Sequence, residues 1–148
     1  MNRWVWVFGE IEGLRWVLDR RTMAFPQHAD RRVQRLAAGD RAVLYVTRGA
    51  FHNPTRDRAR LAGVVTLASA VRAAEPVIIA GQPFAWLCDI EIDIVLRERE
   101  GPEVHRLADK LELVRRPEAW GQYFRQSPIS VTEGDFRRLE AAVAAFEG

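Results

Sequence analysis

An α+β fold, a small curved mixed β-barrel with helices packed outside it, is the architecture this sequence predicts. Three observations predict it. Short strand-like apolar runs are separated by helical stretches of uneven length, with no linker and no internal repeat. One run, 84–96 (FAWLCDIEIDIVL), alternates apolar and acidic residues throughout, as a long half-buried strand does. Finally, 148 residues with 48% hydrophobic content are enough for one domain, 1–148, with a sizeable core.

Taken in order, Arg3 to Phe8 (RWVWVF) is an aromatic and β-branched strand. Glu12 to Arg21 places Leu14, Val17 and Leu18 on one helical stripe. Phe25-Pro26-Gln27-His28 reads as a turn, and Asp30 as the N-cap of a helix carrying Val33, Leu36 and Ala37 and closed by Gly39. Arg41 to Thr47 (RAVLYVT) is a buried strand. The polar segment Arg48 to Arg60 is a loop, since Pro54 cannot continue a central strand. Leu61 to Val71 predicts another strand. In 84–96, Trp86, Cys88, Ile90, Ile92, Ile94 and Leu96 share the core face, and Asp89, Glu91 and Asp93 the solvated one. Helical turns are expected around Val104 to Leu111 and Glu118 to Arg125. Thr132 with Asp135 fits a capping box, and Val131 with Phe136 a hydrophobic staple. The helix they open buries Phe136, Leu139, Val143 and Phe146.

Composition narrows the function. No apolar run approaches the roughly 18 residues a membrane-spanning helix needs, and the N-terminus lacks the small-residue cleavage site of a signal peptide. A cytoplasmic protein without a membrane partner is expected. Cys88 is the single cysteine, which excludes an intrachain disulfide and a cysteine-based zinc cluster. Residues 1–74 carry 13 arginines and 6 acids, whereas 75–148 carry 9 basic and 14 acidic groups. The arginine-rich half suits a phosphate-bearing partner, although arginine is favoured over lysine throughout, Lys110 being the only lysine.

Catalytic signatures are lacking. His28, His52 and His105 are far apart and lack metal-ligand spacing, so no metal and no cofactor is expected. Cys88 falls on an apolar strand face, where a thiol is inert. Neither a nucleophile elbow nor a phosphate-binding glycine loop is present. What does stand out is Trp120, Gly121, Tyr123, Phe124 and Arg125, within six residues. Flat rings, a glycine and an arginine suit a planar, partly polar ligand, and equally suit a core anchor beside a turn.

The order of these segments resembles the EVE domain, a member of the PUA-like superfamily related to YTH and ASCH domains. The resemblance rests on Phe25-Pro26 before a short basic helix, Ala38-Gly39-Asp40 leading to Tyr45-Val46, Trp120-Gly121-Gln122-Tyr123-Phe124-Arg125, and Ile129-Ser130 followed by Asp135-Phe136. It covers essentially the whole chain. Ala38 departs from the family's basic residue, and the Arg48–Arg60 loop has its own composition. The resemblance implies a PUA-like barrel of about five or six strands and a non-enzymatic module that reads a modified nucleobase in DNA or RNA.

On that footing the Phe25–His28 turn, the Tyr45–Thr47 strand end and the Trp120–Arg125 segment should converge on one concave site. Phe25, Trp120 and Tyr123 would be the main aromatic contacts, with Phe51 or Trp86 as further walls. Pro26, Gln27, His28, Tyr45, Thr47 and Arg125 would complete the lining, Gln27 and Thr47 reading the base edge. Arg31, Arg48, Arg56, Arg58 and Arg60 would contact phosphates. A small-metabolite or protein-interaction domain using the same pocket, or an ASCH-like nucleic-acid hydrolase, remains as an alternative. Oligomeric state is left open.

Overall fold

The computed structural model describes residues 1–147. Seven strands form one mixed, curled sheet: β1 (Arg3–Phe8), β2 (Thr22–Pro26), β3 (Arg41–Val46), β4 (Arg60–Leu67), β5 (Arg72–Ile79), β6 (Gln82–Val95) and β7 (Ile129–Val131). Three α-helices accompany them: α1 (Ile11–Arg20), α2 (Asp30–Val33) and α3 (Glu133–Glu147). Short 3-10 turns occupy 27–29, 104–106, 108–110 and 117–124. The strand order is β2-β6-β4-β3-β1-β7, with β5 also paired to β6. Only β1 and β3 run parallel, Arg3 opposite Arg41 through Phe8 opposite Val46. Among the described residues, no helix is long and apolar enough to cross a membrane.

The near-continuous apolar runs of β1 and β3 have a simple cause: both strands are covered on both faces. Trp4, Trp6, Phe8, Leu44 and Val46 enter one core with Leu14 and Val17 of α1 and Val33 of α2. Val5, Val43 and Tyr45, the intervening residues, enter a second core with Phe124 and with Phe136, Leu139 and Val143 of α3. The long strand β6 bends the sheet. Its 90–95 portion pairs with β4, while 82–89 lies between β2 and β5. Its alternation is as expected, with Cys88 and Ile90 buried and Asp89, Glu91 and Asp93 exposed. Burial pushes the Cys88 thiol up to about 12, so it stays protonated and unreactive.

Several local expectations are corrected. The strand count is seven rather than five or six, because β2, β5 and β7 lie in segments not read as strands; β5 is the longest of them. The residues of β5 are mostly exposed, and Pro76 falls where its register with β6 breaks, as befits an edge strand. Phe25 and Pro26 end strand β2 rather than form a turn. Helix α2 stops at Val33 instead of reaching Ala37, because the Asp40 carboxylate takes the Ala37 N–H at 3.0 Å. Asp30 lies inside the first turn of α2 and is not its cap. The two helical stretches before β7 are 3-10 turns. Thr132 Oγ1 accepts the Asp135 N–H at 3.1 Å, half of a capping box. The return half is missing, since the Asp135 carboxylate instead accepts the N–H groups of Glu112 and Leu113 at 2.8 and 2.9 Å. Phe146, expected in the core, is 54% exposed and packs into neither core cluster.

Candidate functional site

Two cavities open where the parallel strands β1 and β3 end, one on each face of the sheet. The first has a volume of 440 Å³. Phe8 at the end of β1, Val17 of α1, Met23 and Phe25 of β2, and Ile79 and Phe84 of the β5–β6 hairpin give it apolar walls. Glu10, His28, Arg32, Gln82 and the 125–127 segment (Arg125, Gln126, Ser127) supply its polar groups. The Ser127 hydroxyl oxygen accepts the Val7 N–H at 3.0 Å, which fastens the 125–127 segment to β1. Neither Arg32 nor Arg125 forms an ion pair with a described residue. The Arg32 Nε is buried with no hydrogen-bond partner. A buried guanidinium donor without an acceptor costs free energy that a ligand acceptor would recover.

The second cavity, 490 Å³, is lined by Tyr45, Thr47 and Arg48 at the end of β3 and by Glu118, Trp120, Gly121, Gln122 and Arg125. Trp120 is half-buried with its ring edge toward Phe124, centroids 6.3 Å apart. Phe124 in turn stacks on Tyr45 at 4.8 Å and 15°. Burial pushes the Tyr45 phenol up to about 12, which keeps it a donor at neutral pH.

The single convergent site expected from the sequence is therefore corrected to two cavities that share Arg125. Phe25, Pro26 and His28 line the first; Tyr45, Thr47, Arg48 and Trp120 line the second. Phe25 contributes only wall, being 1% exposed with its ring edge-on to Trp6 at 5.5 Å. Gln27 lines neither, and its carbonyl accepts the Trp86 indole N–H at 3.4 Å. That bond fixes Trp86 against the first core rather than in a cage. Tyr123 faces a separate shallow depression, and its hydroxyl accepts the Arg116 N–H at 3.2 Å. Phe51 lies under the Arg99 guanidinium, 4.2 Å from its ring centre, beside a narrow crevice along α1.

The arginines expected on phosphates divide in the same way. Arg60 donates to the Gly101 carbonyl at 2.6 Å and pairs with Glu103. Arg56 pairs with the buried Asp57, and Arg58 donates to the Asp57 carbonyl. Arg60, with Arg99 reaching back to Asp57, pins the 48–60 loop to the segment after β6; Arg56 is neutralised locally by Asp57, while Arg58 is exposed and forms no ion pair with a described residue. Arg31 and Arg48 are exposed and carry no such pair.

Sequence reasoning missed Phe8, Met23, Ile79, Phe84 and Arg32. Phe8 carried a usable signal, a large ring at a strand end just before Gly9. Ile79 carried none, since its strand was not recognised. Spacing also hid a cluster of Glu10, Glu12 and His52, whose ligand-capable atoms lie within 4.8 Å of one another. His52 Nε2 is 3.1 Å from Glu12 and 3.4 Å from Glu10. Its hydrogen bond to Glu12 and the charge of both acids raise the His52 pKa above its ordinary value of 6.5.

The curled mixed sheet with its peripheral helices is a YTH-like fold. In sequence, no family model matches the chain, and no curated protein does. Among solved structures, the Mmi1 YTH domain superposes with a TM-score of 0.68 at 7% identity, covering 98% of this chain and 96% of that one. The YTH domain of Zygosaccharomyces rouxii MRB1, solved in complex with N6-methyladenosine RNA, gives 0.64 at 10% identity over 99% and 86%. Rpa0253 from Rhodopseudomonas palustris gives 0.60 at 16% identity over 100% and 97%.

Proposed function

We propose that this chain is an EVE-type binding module that reads a modified nucleobase in DNA or RNA, with the base inserted in the Phe25–Phe84 cavity. The observation that carries the reading is the cavity's make-up. Its volume falls within the roughly 300–1,000 Å³ typical of ligand sites, its walls are aromatic and aliphatic, and its free cations are Arg32 and Arg125. Apolar walls accept the faces of a flipped base, the Arg32 guanidinium offers its edge a donor, and Arg125 suits the attached phosphate. An added methyl group gains only about 0.8 kcal/mol on burial, so wall shape and exclusion of water must supply much of the discrimination. That YTH domains of this fold have been solved with N6-methyladenosine RNA supports the same reading.

Binding without turnover is part of the proposal. The hydroxyl on the cavity wall, Ser127, is engaged by a backbone N–H rather than by a general base. The test is a titration of single-stranded DNA and RNA oligonucleotides, matched in sequence, that carry N6-methyladenine, 5-methylcytosine or no modification, at two salt concentrations. One modified member should bind most tightly, and affinity should fall with salt. Phe84→Ala should abolish the preference. Equal binding across the panel, absence of binding, or cleavage of the probe would overturn the proposal.

A further inference from the structure

The Trp120 cavity combines accessible aromatic rings with unpaired cations. Trp120 is only half-buried, and its indole N–H donates to no described residue. Tyr45 is 4% exposed, yet its hydroxyl, at the cavity wall, likewise makes no hydrogen bond within the described residues. Both polar groups reach solvent and are therefore accessible to a ligand that enters. The charge is one-sided as well: Arg48 and Arg125 are unpaired, whereas the single acid, Glu118, faces Arg116 at 3.5 Å. An aromatic platform rimmed by free cations is the arrangement that holds a stacked base and its phosphate.

Position supplies the second argument. Phe8, on the wall of the first cavity, is register-paired with Val46, one residue from Tyr45 and Thr47 of the second. Neighbouring strands are about 4.8 Å apart, so the cavities adjoin across the end of the sheet. A ligand occupying both must pass over that end, where Arg125 lines each side. The Trp120 cavity is also the more polar and open of the two, which suits a base held by stacking and left partly in water rather than read at its edge.

We propose that the Trp120 cavity is a second nucleotide subsite, which stacks the base adjoining the one read in the Phe25–Phe84 cavity, with Arg125 on the phosphate between them. This rests on the reading given under Proposed function. The subsite contributes affinity irrespective of sequence or modification, and the first cavity contributes the preference.

The probes are the single-stranded oligonucleotides named above and the mononucleotide 5′-monophosphates of their modified bases, titrated against the full chain. Two variants test the subsite. Trp120→Ala removes the platform, and Gly121→Leu fills the cavity from a glycine whose added Cβ meets nothing within 4 Å and whose φ is not left-handed. Both should weaken every oligonucleotide by about tenfold or more, the scale of one base stacked on an aromatic ring. Mononucleotide binding and the ratio between modified and plain oligonucleotides should not change. Folded variants that bind oligonucleotides as the parent does overturn the subsite, even where modified-base preference holds. Parent binding without preference, but weakened by both variants, overturns the base-reading function and leaves the subsite standing as a single-strand site. Mononucleotides that bind as tightly as oligonucleotides, or no binding of any probe, overturn it outright.

Discussion

Replacing Asp40 with Asn should destabilise the domain more than its isosteric shape implies. Asp40 is 2% exposed. One carboxylate oxygen accepts the Asn2 N–H at 2.9 Å, and the other accepts the Trp4 indole N–H and the Ala37 N–H, both at 3.0 Å. The side chain thereby ties the start of β1 to the turn between α2 and β3. Asparagine has one acceptor oxygen. In its better orientation that oxygen keeps Trp4 and Ala37, and the amide NH2 is turned against the Asn2 N–H. An unsatisfied buried donor costs about 1–3 kcal/mol, and bonds to a charged group are worth about 1.5–3 kcal/mol against 0.5–1.5 for neutral ones. The sum is a loss of about 2–4 kcal/mol, allowing for partial relaxation. For a domain of this size that lowers Tm by about 5–15 °C. Urea unfolding followed by tryptophan fluorescence, with calorimetry for Tm, measures both quantities. A loss below about 0.5 kcal/mol, the range of an indifferent surface change, would refute the triple-acceptor role.

The remaining predictions concern close packing and pH. A Cβ at Gly63 would run into the Ile94 carbonyl, and one at Gly101 into the Leu61 carbonyl. Gly63→Ala and Gly101→Ala should each cost about 1–3 kcal/mol or more, since backbone must move, while Gly121→Ala, facing open space, should stay within about 0.5 kcal/mol by thermal unfolding. The His52 pKa is raised and that of Glu12 is lowered, the latter by a backbone hydrogen bond first and by His52 second. The His52 contribution to stability is therefore complete below pH 6.5 and is lost as pH rises through its elevated folded value. The Glu12 contribution is present above pH 4.5 and is lost as pH falls through its depressed one. An NMR titration of the His52 ring in the parent and in Glu12→Gln should show the midpoint fall in the variant, and an unchanged midpoint would refute the pairing.

The sequence by itself determined the fold class, the strands at Arg3–Phe8 and Arg41–Thr47, the long alternating strand and the terminal helix, because each is written as a local pattern of apolar residues. It also marked Gly39-Asp40 and Thr132 to Phe136 as important. Tertiary structure alone showed why, since Asp40 and Asp135 act by gathering backbone N–H groups from segments distant in the chain. The same limit governed the site. Phe25, Trp120 and Tyr123 are all aromatic but do not share a direction, and which face of the curled sheet a ring reaches depends on register and curvature, which composition does not record. The charge of Arg60 was legible, but its engagement by Gly101 and Glu103 was not, because those partners reach it only when the 48–60 loop packs against the chain after β6. Local periodicity decides which segments form; pairing between distant segments decides which side chains remain free to bind.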